Sequence, residues 1–117
     1  LMHHEAQLRA AAGQTEMAIA LLEDVRAMET LPEMQAYRDA ELAFLRGDLA
    51  GLRAARERLM SVPAPEGFAD AVARFRENYP TLPPPTWPIN LEMVDGFIAC
   101  LGRPYREGYN TPCRRAP

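Results

Sequence analysis

Leu8-Arg9-Ala10-Ala11-Ala12-Gly13-Gln14 and Leu42-Ala43-Phe44-Leu45-Arg46-Gly47-Asp48 decide the fold. The two stretches lie 34 residues apart, and each is a run of helix formers closed by Gly and a polar residue. In the same register Ala20 falls on Ala54, Glu23 on Glu57 and Val25 on Leu59. A glycine after such a run suits a left-handed C-terminal cap, because a residue without Cβ enters positive φ at little cost. Each stretch therefore ends one helix and turns into the next. A turn this short makes the two helices antiparallel, and each pair keeps an apolar face that only a following element can cover.

Working outward, the spacing predicts helices at about 2–12, 15–29, 31–46, 49–61, 66–79 and 91–101. Thr30, three residues before Glu33, has the form of a capping box. Asp48 and Asn90 are natural N-caps, and Gly102 followed by Pro104 stops the last helix. β-branched residues are scarce and no stretch alternates with period two for long, so strands are not expected. Apolar stripes mark the second helix (Ala18, Leu21, Leu22, Val25, Met28), the fifth (Phe68, Ala71, Val72, Phe75, Tyr79) and the sixth (Leu91, Val94, Phe97, Ile98, Leu101). Residues three and four apart share one face, and such a stripe calls for burial. The fold class is all-α.

The chain reads as one domain of 117 residues. Its parts are a first hairpin (1–30), a second hairpin (31–65), a fifth helix (66–79), a Pro-rich segment (80–90) and a capping helix with its tail (91–117). Of the 11 prolines, eight lie from Pro80 onward, so the regular array stops there. A third unit in register would turn near Thr81, where Tyr79-Pro80-Thr81-Leu82-Pro83-Pro84-Pro85 stands instead. The fifth helix is then expected to stack on the second pair as the start of an incomplete repeat. The Pro-rich segment, spanning on the order of 25 Å in polyproline geometry, would carry the sixth helix across the open face as a cap.

The period, the glycine placement and the run Leu8–Gln14 followed by Ala18 and Leu22 make residues 1–65 similar to the tetratricopeptide repeat (TPR) family. Leu52 and Arg56 stand where that family has a small Ala and an aromatic residue. The resemblance implies a short right-handed solenoid whose concave face is lined by the first helix of each pair. Its groove residues would be His3, Gln7 and Ala10, then Met34, Tyr37, Arg38, Glu41, Phe44 and Leu45. Gln7, Met34, Tyr37, Arg38, Glu41 and Phe44 are the partner-binding candidates, with Tyr37 and Phe44 as anchors and Arg38 as a carboxylate partner. Phe44 and Leu45 serve equally well as core. The chain has no Lys, so a lysine-based clamp for C-terminal carboxylates is not expected.

Composition narrows function further. With 13 basic against 16 acidic side chains the net charge is −3, which disfavours nucleic acid and anionic lipid as partners. No apolar run approaches the roughly 20 residues of a membrane helix. All 13 basic residues are Arg, and 19 are Ala, a bias of GC-rich bacterial genomes. Two cysteines do not make a disulfide scaffold, so the cytoplasm is the expected compartment. Cys100 reads as a small buried hydrophobe, a Cys100–Cys113 disulfide being the alternative. Adjacent His3 and His4 point about 100° apart on a helix and do not converge on a metal, so neither metal nor cofactor is expected. Glu23/Asp24, Glu66/Asp70 and Glu92/Asp95 read as solvated or first-turn charges. The Arg residues between 46 and 76 alternate with acids and read as i,i+4 surface pairs.

The function that follows is a non-catalytic protein–protein interaction module holding a peptide or partner helix. The alternative is the C-terminal cap, or a homodimerising part, of a longer repeat protein, since Leu1, Met2 and Leu8 lack a preceding neighbour. A small-molecule or enzymatic site near Trp87–Tyr109 ranks third, for want of an acid, base or nucleophile there.

Overall fold

A computed structural model describes residues 2–11 and 13–103, apart from the side chains at 2, 3, 10 and 11. Among the described residues there are six helices and no strand. They are α1 (Met2–Ala11), α2 (Thr15–Met28), α3 (Pro32–Arg46), α4 (Leu49–Ser61), α5 (Phe68–Asn78) and α6 (Leu91–Ala99). Each falls within about two residues of its expected bounds.

The two glycine turns are built alike. Gly13 and Gly47 both have positive φ, at 83° and 68°. The Gln14 N–H donates to the Arg9 carbonyl at 2.8 Å, and the Asp48 N–H donates to the Ala43 carbonyl at 2.9 Å. This six-residue closure satisfies a carbonyl that a helix end would otherwise leave open. Asp48 then caps α4, its carboxylate accepting from the Gly51 N–H at 2.9 Å. The expected capping box at Thr30 does not form. Leu31 occupies the N-cap of α3 without a side-chain bond, and Pro32 begins the helix, a position for which its fixed φ is pre-organised. Asn90 precedes α6 as expected, but in the left-handed region and without a side-chain cap bond.

α1 packs on α2, α2 on α3, and α3 on α4. Ala18, Ala36, Ala40 and Ala43 are all buried in the central core cluster, so small side chains line much of it. The array then departs from expectation. α5 makes no close packing with another helix and buries none of its residues. Instead α6 lies on both α3 and α4, with Val94 and Phe97 fully buried. The face of the second hairpin is thus already filled, and the Pro63–Pro65 link leads the chain away from α4. α5 covers its stripe only in part, through ring contacts. Phe68 meets Trp87 edge-on at 5.6 Å, Phe75 tilts onto Tyr79 at 5.1 Å, and Tyr79 remains 53% exposed.

The Pro-rich segment is anchored at its far end. The Trp87 indole N–H donates to the Val62 carbonyl at 2.7 Å, and Pro88 beyond it is buried. The sixth helix thereby starts beside the end of α4. Gly96 is buried in its middle. Cys100, buried at the end of α6, is disulfide-bonded; the sequence's other cysteine, Cys113, lies outside the described residues.

Candidate functional site

α3 carries five of the six partner-binding candidates, and the sixth, Gln7 of α1, reaches them through its hydrogen bond to Glu41. The face is not open. Tyr37 and Phe44 are core residues on either side of Phe97 from α6, with ring centroids 6.5 Å and 4.9 Å away. Met34 and Leu45 are half-buried against the same cluster. The side chains of His3 and Ala10 lie outside the described residues. An aromatic anchor offered to a partner in this arrangement would first have to lose Phe97.

Beside the aromatic cluster sits a buried polar network. Arg38 is 4% exposed and Glu41 is fully buried. One guanidinium N–H of Arg38 donates to Glu41, another donates to Glu29 at 3.2 Å, and the guanidinium stands 5.3 Å from the Tyr37 ring centre. The second carboxylate oxygen of Glu41 accepts from Gln7 of α1 at 3.3 Å. Burial by itself pulls the Arg38 pKa down. The charge of Glu41, its hydrogen bond and the contribution of Glu29 together outweigh burial, so the pKa lies above its ordinary value. Arg38 is therefore a fixed cation that ties α3 to its acidic neighbours, not a free clamp. Two buried charges persist because they pair with each other and their remaining hydrogen-bonding groups find Glu29 and Gln7.

The remaining arginines correct the expected surface pattern. Among the described residues Arg46, Arg56 and Arg58 pair between helices rather than at i,i+4. Arg46 meets Glu23 at 3.3 Å, Arg56 meets Asp95 at 2.6 Å, and Arg58 meets Asp39 at 3.0 Å. The hydrogen bond to Asp95, and then its charge, raise the Arg56 pKa. This pair joins α4 to α6 from outside the core. Asp39 also accepts from Arg26 of α2 at 2.8 Å, so one carboxylate links three helices. Residues 26, 39 and 58 share no motif, and no local spacing in the sequence would have found them.

Among the described residues no group of three His, Cys, Asp or Glu side chains could hold a metal ion, and no helix is long and apolar enough to cross a membrane. Of the Trp87–Tyr109 region, the stretch 104–109 lies outside the described residues. The start of this region borders an open cleft of about 440 Å³ lined by Pro84, Pro85, Pro88, Ile89 and Leu91, with Glu92 the one ionisable side chain among the described lining residues.

No family model matches the sequence, and neither a curated protein nor a solved structure matches it significantly.

Proposed function

We propose that the chain is a non-catalytic protein–protein interaction module of two stacked, TPR-like helical hairpins whose α3/α4 face receives an amphipathic helix. The observation that carries this is α6 itself, which seats Phe97 between Tyr37 and Phe44. A helix-in-groove contact is read through anchors one turn apart, and Met93, Val94, Phe97 and Cys100 supply that spacing. A partner helix of the same pattern competes with α6 for the face. The matching turns at Gly13 and Gly47 support the two-repeat arrangement. The disulfide at Cys100 fits an oxidising compartment better than the reducing cytoplasm.

The test is supply in trans. A labelled peptide of residues 89–101 is titrated against the full chain and against its Phe97→Asp variant. Saturable binding to the variant, at least tenfold weaker for the unaltered chain and lost with a Phe97→Asp peptide, supports the reading. Equal binding to both chains, or to neither, rejects it.

A second reading has its own support. Val94 and Phe97 are fully buried on α3 and α4, which is what a terminal cap of a longer array requires. A pure cap predicts that removing residues 86–117 lowers the melting temperature and promotes self-association, with no peptide bound in trans.

A further inference from the structure

Between α5 and α6 the chain runs Pro80-Thr81-Leu82-Pro83-Pro84-Pro85-Thr86 before Trp87 anchors it. A proline ring holds φ near about −65°, and a residue that precedes proline is pushed out of the helical region. Pro83 and Pro84 meet both conditions, so chemistry alone confines them to polyproline geometry, and Leu82 before them to an extended or polyproline backbone. Residues 83–86 accordingly form neither helix, strand nor turn. Both ends are tied down. The Leu82 N–H donates to the Tyr79 carbonyl at 3.1 Å, and the Trp87 indole N–H donates to the Val62 carbonyl at 2.7 Å. The segment is a strap held between two fixed points.

The strap meets water with its acceptors open. Leu82 is 52% exposed, Pro83 and Pro85 are exposed, and Pro84 is half-buried. The three consecutive prolines bring no N–H. Among the described residues no donor reaches a carbonyl between Pro80 and Ile89. Covering these carbonyls is favourable only where the partner brings donors to them. No ionisable side chain stands between Pro80 and Leu91, so the strap has no charge with which to select an ion, a nucleic acid or a charged peptide. Pro84 and Pro85 also line the open cleft of about 440 Å³, together with Pro88, Ile89, Leu91 and Glu92, which leaves a recess beside the prolines.

We infer that the Leu82–Pro85 strap is itself a ligand, docked by a protein whose groove is lined with Trp and Tyr. The prolyl rings lie against the faces of those aromatic rings, and the strap carbonyls accept from indole N–H and phenol O–H groups. Apolar rings with donors at their edges are what an uncharged row of pyrrolidines and bare carbonyls matches. A lipid surface fits poorly, because hydrocarbon offers no donor to these carbonyls. A second copy of this chain fits poorly too, since its one Trp already gives its N–H to Val62. With both ends fixed, the strap loses little freedom on docking. The inference is independent of the reading of the α3/α4 face and shares with it only the premise of a protein partner.

The test uses the full chain and three isolated proline-binding domains, one each of the SH3, WW and EVH1 type, as probes of an aromatic groove. At least one is expected to bind the chain saturably, and about tenfold more weakly once the Trp of its own groove is replaced by Ala. Leu82→Asp puts a charge at an exposed neutral position, and Pro83→Ala with Pro85→Ala restores two N–H groups and loosens φ. Each of these variants should weaken binding about tenfold with the helical spectrum unchanged, whereas Pro63→Ala, outside the strap, should leave it within twofold. A free peptide of residues 79–88 should compete, several-fold more weakly than the intact chain because it is not held at its ends. Binding by none of the three domains overturns the proposal, as does binding that survives both strap variants or a peptide that does not compete. Capture by phosphatidylcholine vesicles that Leu82→Asp abolishes would identify a lipid surface, and a strap-dependent dimer in light scattering a second copy; either result overturns it. Failure here with success of the 89–101 peptide, or the reverse, tells the two sites apart.

Discussion

Replacing Glu41 with Gln removes one charge from the centre of the molecule and leaves its shape almost unchanged. Glu41 is fully buried, and it is the acid closest to Arg38, whose side chain is 5% exposed. In the variant Glu29, at 3.2 Å and nearer the surface, is the one carboxylate left to the guanidinium among the described residues. Breaking a buried pair by removing one partner costs about 3–5 kcal/mol, because the other charge stays desolvated. Glu29 compensates in part, so the lower figure of about 3 kcal/mol applies here. That is a large share of the roughly 5–15 kcal/mol by which a domain is stable, and at about 4 °C per kcal/mol it lowers the melting temperature by about 12 °C. Arg38 cannot escape by losing its proton. In the unaltered chain burial lowers its pKa and Glu41 and Glu29 more than restore it; the variant loses the share of Glu41, yet a guanidinium is not deprotonated in proteins. Raising the pH to about 9 therefore does not relieve the variant. Urea unfolding followed by circular dichroism measures the loss. A second arm, Arg38→Met with Glu41→Leu, removes both charges and should recover most of the stability, since apolar replacements of a buried pair are often neutral or better. A Glu41→Gln variant within 1 kcal/mol of the unaltered chain, or a double variant no more stable than the single one, would refute the reasoning.

Phe97→Ala empties the site between Tyr37 and Phe44 and should cost about 3–5 kcal/mol in urea unfolding; a loss below about 1 kcal/mol would mean that α6 contributes little to holding the fold. Gly47→Val should cost more than about 1 kcal/mol. No atom lies within 4 Å of an added Cβ there, so the loss is backbone strain and Gly47→Asn, which tolerates the left-handed region, should be milder; equal losses would rule out that cause. Asp48→Ala removes the acceptor for the Gly51 N–H and should destabilise by about 1 kcal/mol, an effect that chemical denaturation resolves and that Asp48→Ser should largely restore.

The local features of this chain are readable because they depend on neighbours in sequence. Gly13 and Gly47 end helices in the left-handed region, and Asp48 caps the next helix, since the groups they satisfy lie three to five residues away. Thr30 shows how a local signal loses to a stronger one: Pro32 starts α3 with its own φ already set, and the cap moves to Leu31. The six partner-binding candidates came from the likeness to a repeat family, and nothing local in the sequence showed that α6 would cover Tyr37 and Phe44. Phe97, which covers them, carries no mark in the sequence that separates it from Phe68 or Phe75. The Arg26–Asp39–Arg58 cluster was invisible for the same reason, its members being joined only when three helices meet.

By itself the amino-acid order determined six helices, their ends and the paired turns, because hydrogen bonding and φ preferences act over a few residues. Tertiary structure alone decided which stripe fills the second hairpin. The hydrophobic effect rewards removal from water without naming a neighbour, so α5 and α6 present comparable claims on paper. In the folded chain α6, delivered by Trp87 and held by Phe97, takes the α3/α4 face and α5 remains at the side.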